Sequence, residues 1–310
     1  MRYAIGMDVG GSSARAALVS EDGEILASAS QPTGFDTPTQ VLMERFVQVL
    51  EQALEPARSR GLRVEGIGIG MPGLQDEQGR VDSASNLPQL NGVDVRGDLS
   101  RRSGLPAAME NDLNVVALGE YRFGGHRVKG NLLVLAVGTG VGAALVQDGR
   151  LLRVARGCLG DPGHLLVEPG SRLCRCGAHG CLEAHLAGWA LLEQAAEAGI
   201  SSPDGAPLTP AALFALARAG SAPARELLAR AAGWLAMGLA SYGALYQPER
   251  IVLGGNVLVE CADLLLAPAR QRFRTIVQPW LAHLELPLSR IPQTAGVLGG
   301  AALVFEPQRA

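Results

Sequence analysis

The chain has 310 residues and a formal net charge of −3, with 47% hydrophobic and 18% charged side chains. That is enough for a sizeable core and two domains, and it excludes the overall basic field that draws nucleic acid or anionic lipid. Its 26 arginines stand against one lysine, Lys129, followed by Gly130-Asn131 in a polar stretch, so a Walker A loop and Schiff-base chemistry are excluded as well.

In chain order, the pattern predicts a strand over Tyr3 to Asp8, a glycine turn at Gly10-Gly11, and a second strand over Ala14 to Ser20. Asp22-Gly23 turns the chain into a third strand, Glu24 to Ser30. Apolar residues at helical spacing fill Pro38 to Arg60, and a short strand covers Val64 to Ile69. Residues 74–104 read as loop. A brief strand, Ala107 to Glu110, leads to a helix over Asp112 to Phe123 capped by Asn111 or Asp112.

A second unit opens in the same way: strand Leu132 to Val137, glycine turn Gly138-Thr139-Gly140, returning strand Val141 to Val146 and a turn at Asp148-Gly149. Helices are predicted over 186–198, 210–219, 222–246 and 263–277, a strand over Arg250 to Leu253 before Gly254-Gly255, and a closing helix over Val297 to Phe305. The two strand–turn–strand openings make a weak internal repeat, and the whole reads as α/β. No signal peptide or membrane-length apolar run is visible, so a cytoplasmic protein without nucleic-acid or membrane partners is expected.

Three constellations carry chemistry. The first is Asp8-Val-Gly10-Gly11-Ser12, where a carboxylate ends a strand beside a turn whose amides can hold phosphate oxygens. The carboxylate itself suits hydrated Mg²⁺. The second glycine turn, Gly138-Thr139-Gly140, adds to this. The alternative for each is an ordinary hairpin. The second constellation is Glu110-Asn111-Asp112-Leu-Asn114, read either as a helix cap or as a general base with a positioning amide. The third is His164 with Cys174, Cys176 and Cys181, a Cys₃His set suited to structural Zn²⁺. His179 competes with His164 as fourth ligand, and free thiols are the alternative to a metal. Cys158 and Cys261 read as buried apolar thiols. Asp161, His164 and Glu183 flank this loop as candidates for binding a polyol, against a reading as solvated charges.

In order along the chain, Asp8-x-Gly-Gly-Ser-x-x-Arg15, Gly68-Ile-Gly-Met-Pro-Gly73, Asn86-Leu-Pro88, Glu110-Asn-Asp-x-Asn114, Gly138-Thr-Gly-x-Gly142, Gly160-Asp-Pro-Gly-His164, Cys174-x-Cys-Gly-x-x-Gly-Cys-x-Glu183 and Leu253-Gly-Gly255 resemble the ROK-family sugar kinases of the hexokinase/actin-like ATPase superfamily. The resemblance implies two actin-like, ribonuclease H-like domains flanking a central cleft. One is a smaller domain of residues 1–122 with the closing helix 297–310; the other is a larger domain, 123–296, carrying the zinc loop and a homodimer surface. Cleft closure would exclude water from the transfer.

It also implies ATP-dependent phosphorylation of a hexose at its C6 hydroxyl, glucose first, with N-acetylglucosamine or N-acetylmannosamine as the alternative. By resemblance Asp112 is the general base, and Gly73, Asn86, Asn111, Asp161, His164 and Glu183 hold sugar hydroxyls. Asp8 acts through Mg²⁺. Gly10, Gly11, Ser12, Gly138, Thr139 and Gly140 line the phosphates, and Gly254 and Gly255 approach adenosine. Zinc takes His164, Cys174, Cys176 and Cys181.

The chain departs from the family pattern at Asp161, where glutamate is usual, at Ala187 in place of serine, and at Thr294 in place of aspartate. The first departure retracts a carboxylate by about 1.5 Å near the sugar's C1–C2 end and leaves sugar identity open. Some relatives are sugar-responsive repressors; these carry an extra N-terminal DNA-binding domain, whereas strand one here begins at Tyr3. A sensor without catalysis is less expected because Asp8 and Asp112 are both present. Polyphosphate as donor would use a basic channel, for which Arg122, Arg127, Arg153 and Arg156 are candidates.

Overall fold

The computed structural model describes residues 1–76, 78–154, 158–203 and 205–306. Arg156 and the last four residues of the predicted closing segment lie outside the described residues. The chain folds as two compact units. One comprises Met1–Lys129, Ala144–Gly160 and Gln293–Ala310, the other Gly130–Ala143 and Asp161–Pro292.

The first unit opens with β1 (Tyr3–Val9), β2 (Ser13–Ser20) and β3 (Ile25–Pro32), followed by α1 (Thr39–Ser59), β4 (Val64–Met71), the two-residue strands β5 (Leu74–Gln75) and β6 (Val81–Asp82), α2 (Val95–Ser103), β7 (Ala107–Asn111) and α3 (Asp112–Arg122). Strand order is β3-β2-β1-β4-β7, with β1–β2 and β2–β3 antiparallel and β1–β4 and β4–β7 parallel. Leu42, Phe46, Val49 and Leu50 of α1 are buried against this sheet's apolar side chains. Within the predicted loop 74–104, α2 is a correction. Only Val95 and Leu99 of its nine residues are buried, so the apolar period is too sparse to see. Its caps were readable: Asp94 accepts from the Gly97 amide, and Gly104 ends it in the left-handed region.

The chain continues through β8 (Asn131–Val137), β9 (Val141–Gln147), β10 (Arg150–Leu151), α4 (Glu183–Leu186), α5 (Gly188–Glu197), α6 (Pro210–Arg218), α7 (Ala222–Tyr246), β11 (Arg250–Gly254), α8 (Asn256–Glu260), α9 (Ala262–Ile276) and α10 (Ala295–Phe305). Residues 188–197 of the predicted helix 186–198 form α5, while Leu186 ends α4, because extended backbone at Ala187 (ψ 151°) separates the two. The second sheet has the order β10-β9-β8-β11. It repeats β3-β2-β1-β4, with β8–β11 parallel as β1–β4 is, so the weak repeat in sequence is a repeat in topology. Residues 285 and 288 add parallel bridges to β11. Among the described residues no helix is long and apolar enough to cross a membrane.

Helix α10 completes the first unit by backbone-to-backbone approach. A Cβ at Gly6 of β1 would sit 1.7 Å from the Val297 carbonyl oxygen, and one at Gly68 of β4 would sit 1.8 Å from that of Gly300. On its other side, a Cβ at Gly299 would meet the Val115 carbonyl of α3 at 1.7 Å. Gly299→Ala is therefore expected to cost about 3 kcal/mol or more by overpacking, read as a fall of roughly 6 °C in calorimetric Tm. An unchanged Tm would contradict this packing.

Candidate active site

In the first unit, β1 delivers Asp8 opposite Arg15 of β2 in antiparallel register. Arg15 Nη2 donates to Asp8 Oδ2 at 2.9 Å, and its Nη1 to the Gln293 carbonyl at 2.9 Å. Space for the carboxylate comes from Gly296 of α10, where a Cβ would lie 2.5 Å from Asp8 Cγ. Burial pushes the Asp8 carboxyl above its ordinary pKa, against the opposing pull of Arg15.

Asp112 opens α3. Burial, and then the negative charge of Asp8, lift its pKa from 3.8 to about 7. Its Oδ1 accepts from the Leu113 amide at 2.9 Å. A carboxylate with this pKa is matched to taking a proton near neutrality, which an ordinary surface aspartate is not.

Asn111 caps α3 and does more. Its Oδ1 accepts from the Leu113 and Asn114 amides at 3.0 and 3.3 Å, while its Nδ2 donates to the Gly73 carbonyl at 3.0 Å. Capping α3 and holding Gly73 are thus one arrangement, and the Asn111 side chain also hydrogen-bonds Asp112. Gly73 is left-handed (φ 87°), and a Cβ there would fall 2.7 Å from Ala84 Cα, so no side chain fits. Gly10 and Gly11 do not adopt left-handed backbone. What Gly11 supplies is room for Asn86, whose Cβ would be 3.2 Å from a Cβ placed there. The turn is tied by Gly10 N donating to Ser13 O at 2.8 Å, and by Thr33 donating to Gly10 O and Ser12 O.

In the second unit, the turn at Gly138-Thr139-Gly140 follows the same logic. Gly138 leaves room for Asn256 Oδ1, which would lie 2.7 Å from a Cβ there, and Gly140 for Glu183 Oε2 at 2.8 Å. Gly255 is left-handed (φ 85°) and abuts Val137, with Gly254 beside it ending β11. Thr139 is exposed.

His164, Cys174, Cys176 and Cys181 bring their ligand atoms within 4.8 Å of one another. Cys174 Sγ lies 3.6 Å from His164 Nδ1, and Cys176 Sγ 3.7 Å from Cys181 Sγ. A tetrahedral zinc with ordinary bond lengths needs separations of about 3.6 Å for N···S and about 3.8 Å for S···S. The donor set and its spacing therefore fit that ion. His179 is outside the cluster, with its Nδ1 3.0 Å from the Ser171 carbonyl. Left-handed Gly177 and Gly180 reverse the chain between ligands. Cys261 is buried and its thiol donates to Val257 O, whereas Cys158 is only half-buried.

Glu183 has an occupation that its sequence position does not suggest. Its Oε2 accepts from the Val141 amide at 2.9 Å, and its Oε1 lies 4.0 Å from Cys174 Sγ. It links the glycine turn to the cysteine cluster. Asp161, by contrast, is exposed and begins the short turn Pro162–His164 without a side-chain capping bond. Two arginines of the expected basic channel are already paired. Arg153 Nε donates to buried Glu110 at 2.9 Å, and Arg122 meets Glu306. Arg127 lies over the Tyr121 ring.

The model of the ROK family matches residues 4–306. A glucokinase of Thermotoga maritima is 31% identical over 97% of each chain. Among solved structures, a ROK hexokinase from Thermus thermophilus is 33% identical with a TM-score of 0.85 over 98% of each chain. A ROK family glucokinase from Streptomyces griseus, in complex with glucose and AMPPNP, is 29% identical with a TM-score of 0.81 over 97% of this chain and 98% of that one. A xylose repressor of Caldicellulosiruptor bescii is 28% identical over 97% of this chain but only 77% of its own length.

Proposed function

The chain belongs to the ROK family, and on that premise we propose that it is an ATP-dependent glucokinase acting on the C6 hydroxyl. The observation that carries this reading is Asp112, a carboxylate at the start of α3 with its pKa lifted to about 7 and its neighbour Asn111 tied to Gly73. In this reading Asp112 accepts the proton of the attacking hydroxyl as the oxygen bonds to the γ-phosphorus of ATP and the bond to ADP breaks. Positioning and charge neutralisation do most of the work.

Gly73, Asn86, Asn111, Asp161 and His164 are assigned to sugar hydroxyls. Glu183 is assigned to the same task with its Oε1, since Oε2 holds the Val141 amide. Gly10, Gly11, Ser12, Gly138, Thr139 and Gly140 are assigned to the phosphates, Gly254 and Gly255 to the adenosine. Asp8 keeps Oδ1 outside its Arg15 pair, an oxygen suited to a hydrated Mg²⁺ that neutralises charge on the transferring phosphoryl group. His164, Cys174, Cys176 and Cys181 would hold a structural Zn²⁺. The reading includes the two-domain division expected from the resemblance, a homodimer and a cytoplasmic setting.

One observation favours a second substrate class. Asp161 is exposed and a methylene shorter than the family's usual glutamate, which suits a bulkier C2 substituent such as an N-acetyl group. An ADP-release assay with MgATP across glucose, mannose, fructose, N-acetylglucosamine and N-acetylmannosamine separates the two. Glucose is expected to give the highest kcat/KM. Preference for an N-acetyl sugar by tenfold or more would move the assignment to the second class. No turnover on any sugar would leave a non-catalytic sugar sensor.

A further inference from the structure

Helix α7 carries three residues at four-residue intervals, Trp234, Gly238 and Tyr242, so they share one stripe of its surface. Each of them meets a different piece of the loop that bears the cysteine cluster. Trp234 stacks on His185, with ring centroids 4.1 Å apart and 24° between planes. Gly238 makes room for Leu182, whose Cδ2 would lie 2.7 Å from a Cβ there. Leu182 is the residue between Cys181 and Glu183. Tyr242 is buried, and its hydroxyl donates to the Pro162 carbonyl at 2.6 Å. Pro162 follows Asp161 and opens the short turn that ends at His164. That turn has little slack on its other side, because a Cβ at Gly163 would fall 1.9 Å from the Val141 carbonyl oxygen.

We propose that Tyr242 is a positioning residue for the sugar, acting through Pro162 to set where Asp161 and His164 stand, with Trp234 and Gly238 seating the far end of the same loop. The proposal rests on the sugar-kinase reading for its substrate, and on the fold alone for the seat. The hydroxyl is the only polar atom of an otherwise apolar buried side chain, and it donates to the backbone between two candidate sugar ligands. Removing it leaves the ring packed and frees the turn by one strong tether. Since His164 is also a member of the metal-binding set, the same loosening should reach the metal.

The test is Tyr242→Phe in the full-length, metal-loaded protein, with two readouts. Steady-state kinetics should give a KM for glucose raised about tenfold, with KM for ATP within twofold of wild type and kcat little changed. Zinc release to a chromogenic chelator should be several-fold faster, with no substrate present. A glucose KM equal to that of wild type would overturn the positioning role. So would equal rises in both KM values, which signal general loosening instead. If wild-type protein turns over no sugar at all, the kinase reading fails, and release kinetics alone decide the seat: a Tyr242→Phe rate equal to wild type would overturn it.

Discussion

Asp112→Asn is expected to lower kcat by about 10³-fold while leaving the KM for glucose within a few-fold, since only the proton acceptor is lost. The same change is expected to make the protein more stable at pH 8. A carboxyl whose pKa rises from 3.8 to about 7 on folding costs up to about 4 kcal/mol to ionise in the folded chain. Solvent reaches this half-buried position, which trims the gain to about 1–3 kcal/mol, or a few degrees of Tm.

The sign follows from the direction of the shift. Below about pH 4 the carboxyl is protonated in both states and the variant has no advantage. As pH climbs towards 7, the folded wild type is increasingly penalised and the gap opens. Activity should follow the opposite limb: wild-type kcat/KM should fall tenfold per pH unit below about pH 7. Calorimetry of both proteins at pH 4.5 and 8, beside a pH–rate profile, checks both halves. A variant no more stable at pH 8 than wild type, or a profile flat down to pH 5, would sink the assignment.

Removal of the metal is expected to have the second large effect. Short backbone bonds such as Cys174 N to Ala178 O hold the ligand loop, and its thiols differ: the Ala178 amide lowers the Cys176 thiol, whereas burial raises that of Cys174. Burial pushes the Cys181 thiol up to about 12. A dication reverses that preference and supplies the cross-link that so small a loop lacks. Chelator treatment, or Cys181→Ser, should abolish one equivalent of bound zinc and lower Tm by about 10 °C or more. Glu183 extends the consequence to the glycine turn, because one carboxylate faces Cys174 and holds the Val141 amide. Loss of metal should therefore raise the KM for ATP as well as that for sugar. Metal analysis with calorimetry decides the matter, and metal-free protein with unchanged Tm would show that the cluster is not a structural site.

What could be read from the residues alone follows the range of the interactions. The strands of both openings, α1 and the whole of α7 announce themselves by period and by flanking glycines. The cysteine cluster does so by spacing, since three of its four members lie within eight residues. Helix α2 did not, because its exposed face outnumbers its two buried residues. The partner of Glu183 lies 42 positions away, and that of Tyr242 lies 80 away, so neither leaves a local mark. By sequence alone, the glycines of the two turns serve to bend the backbone. Gly11, Gly138 and Gly140 instead make room for Asn86, Asn256 and Glu183, which is a property of their neighbours and not of their own dihedral angles.

The backbone seat of α10 also has a consequence in time. Gly6 and the Val297 carbonyl that it accommodates are separated by roughly 290 residues of synthesis, about 15–60 s at ribosomal speed. For most of that interval, once β4 has been made, β1 and β4 stand on the nascent chain with the face meant for α10 bare. The first unit is begun first and completed last, so its growing sheet is the surface on which a holding chaperone would act.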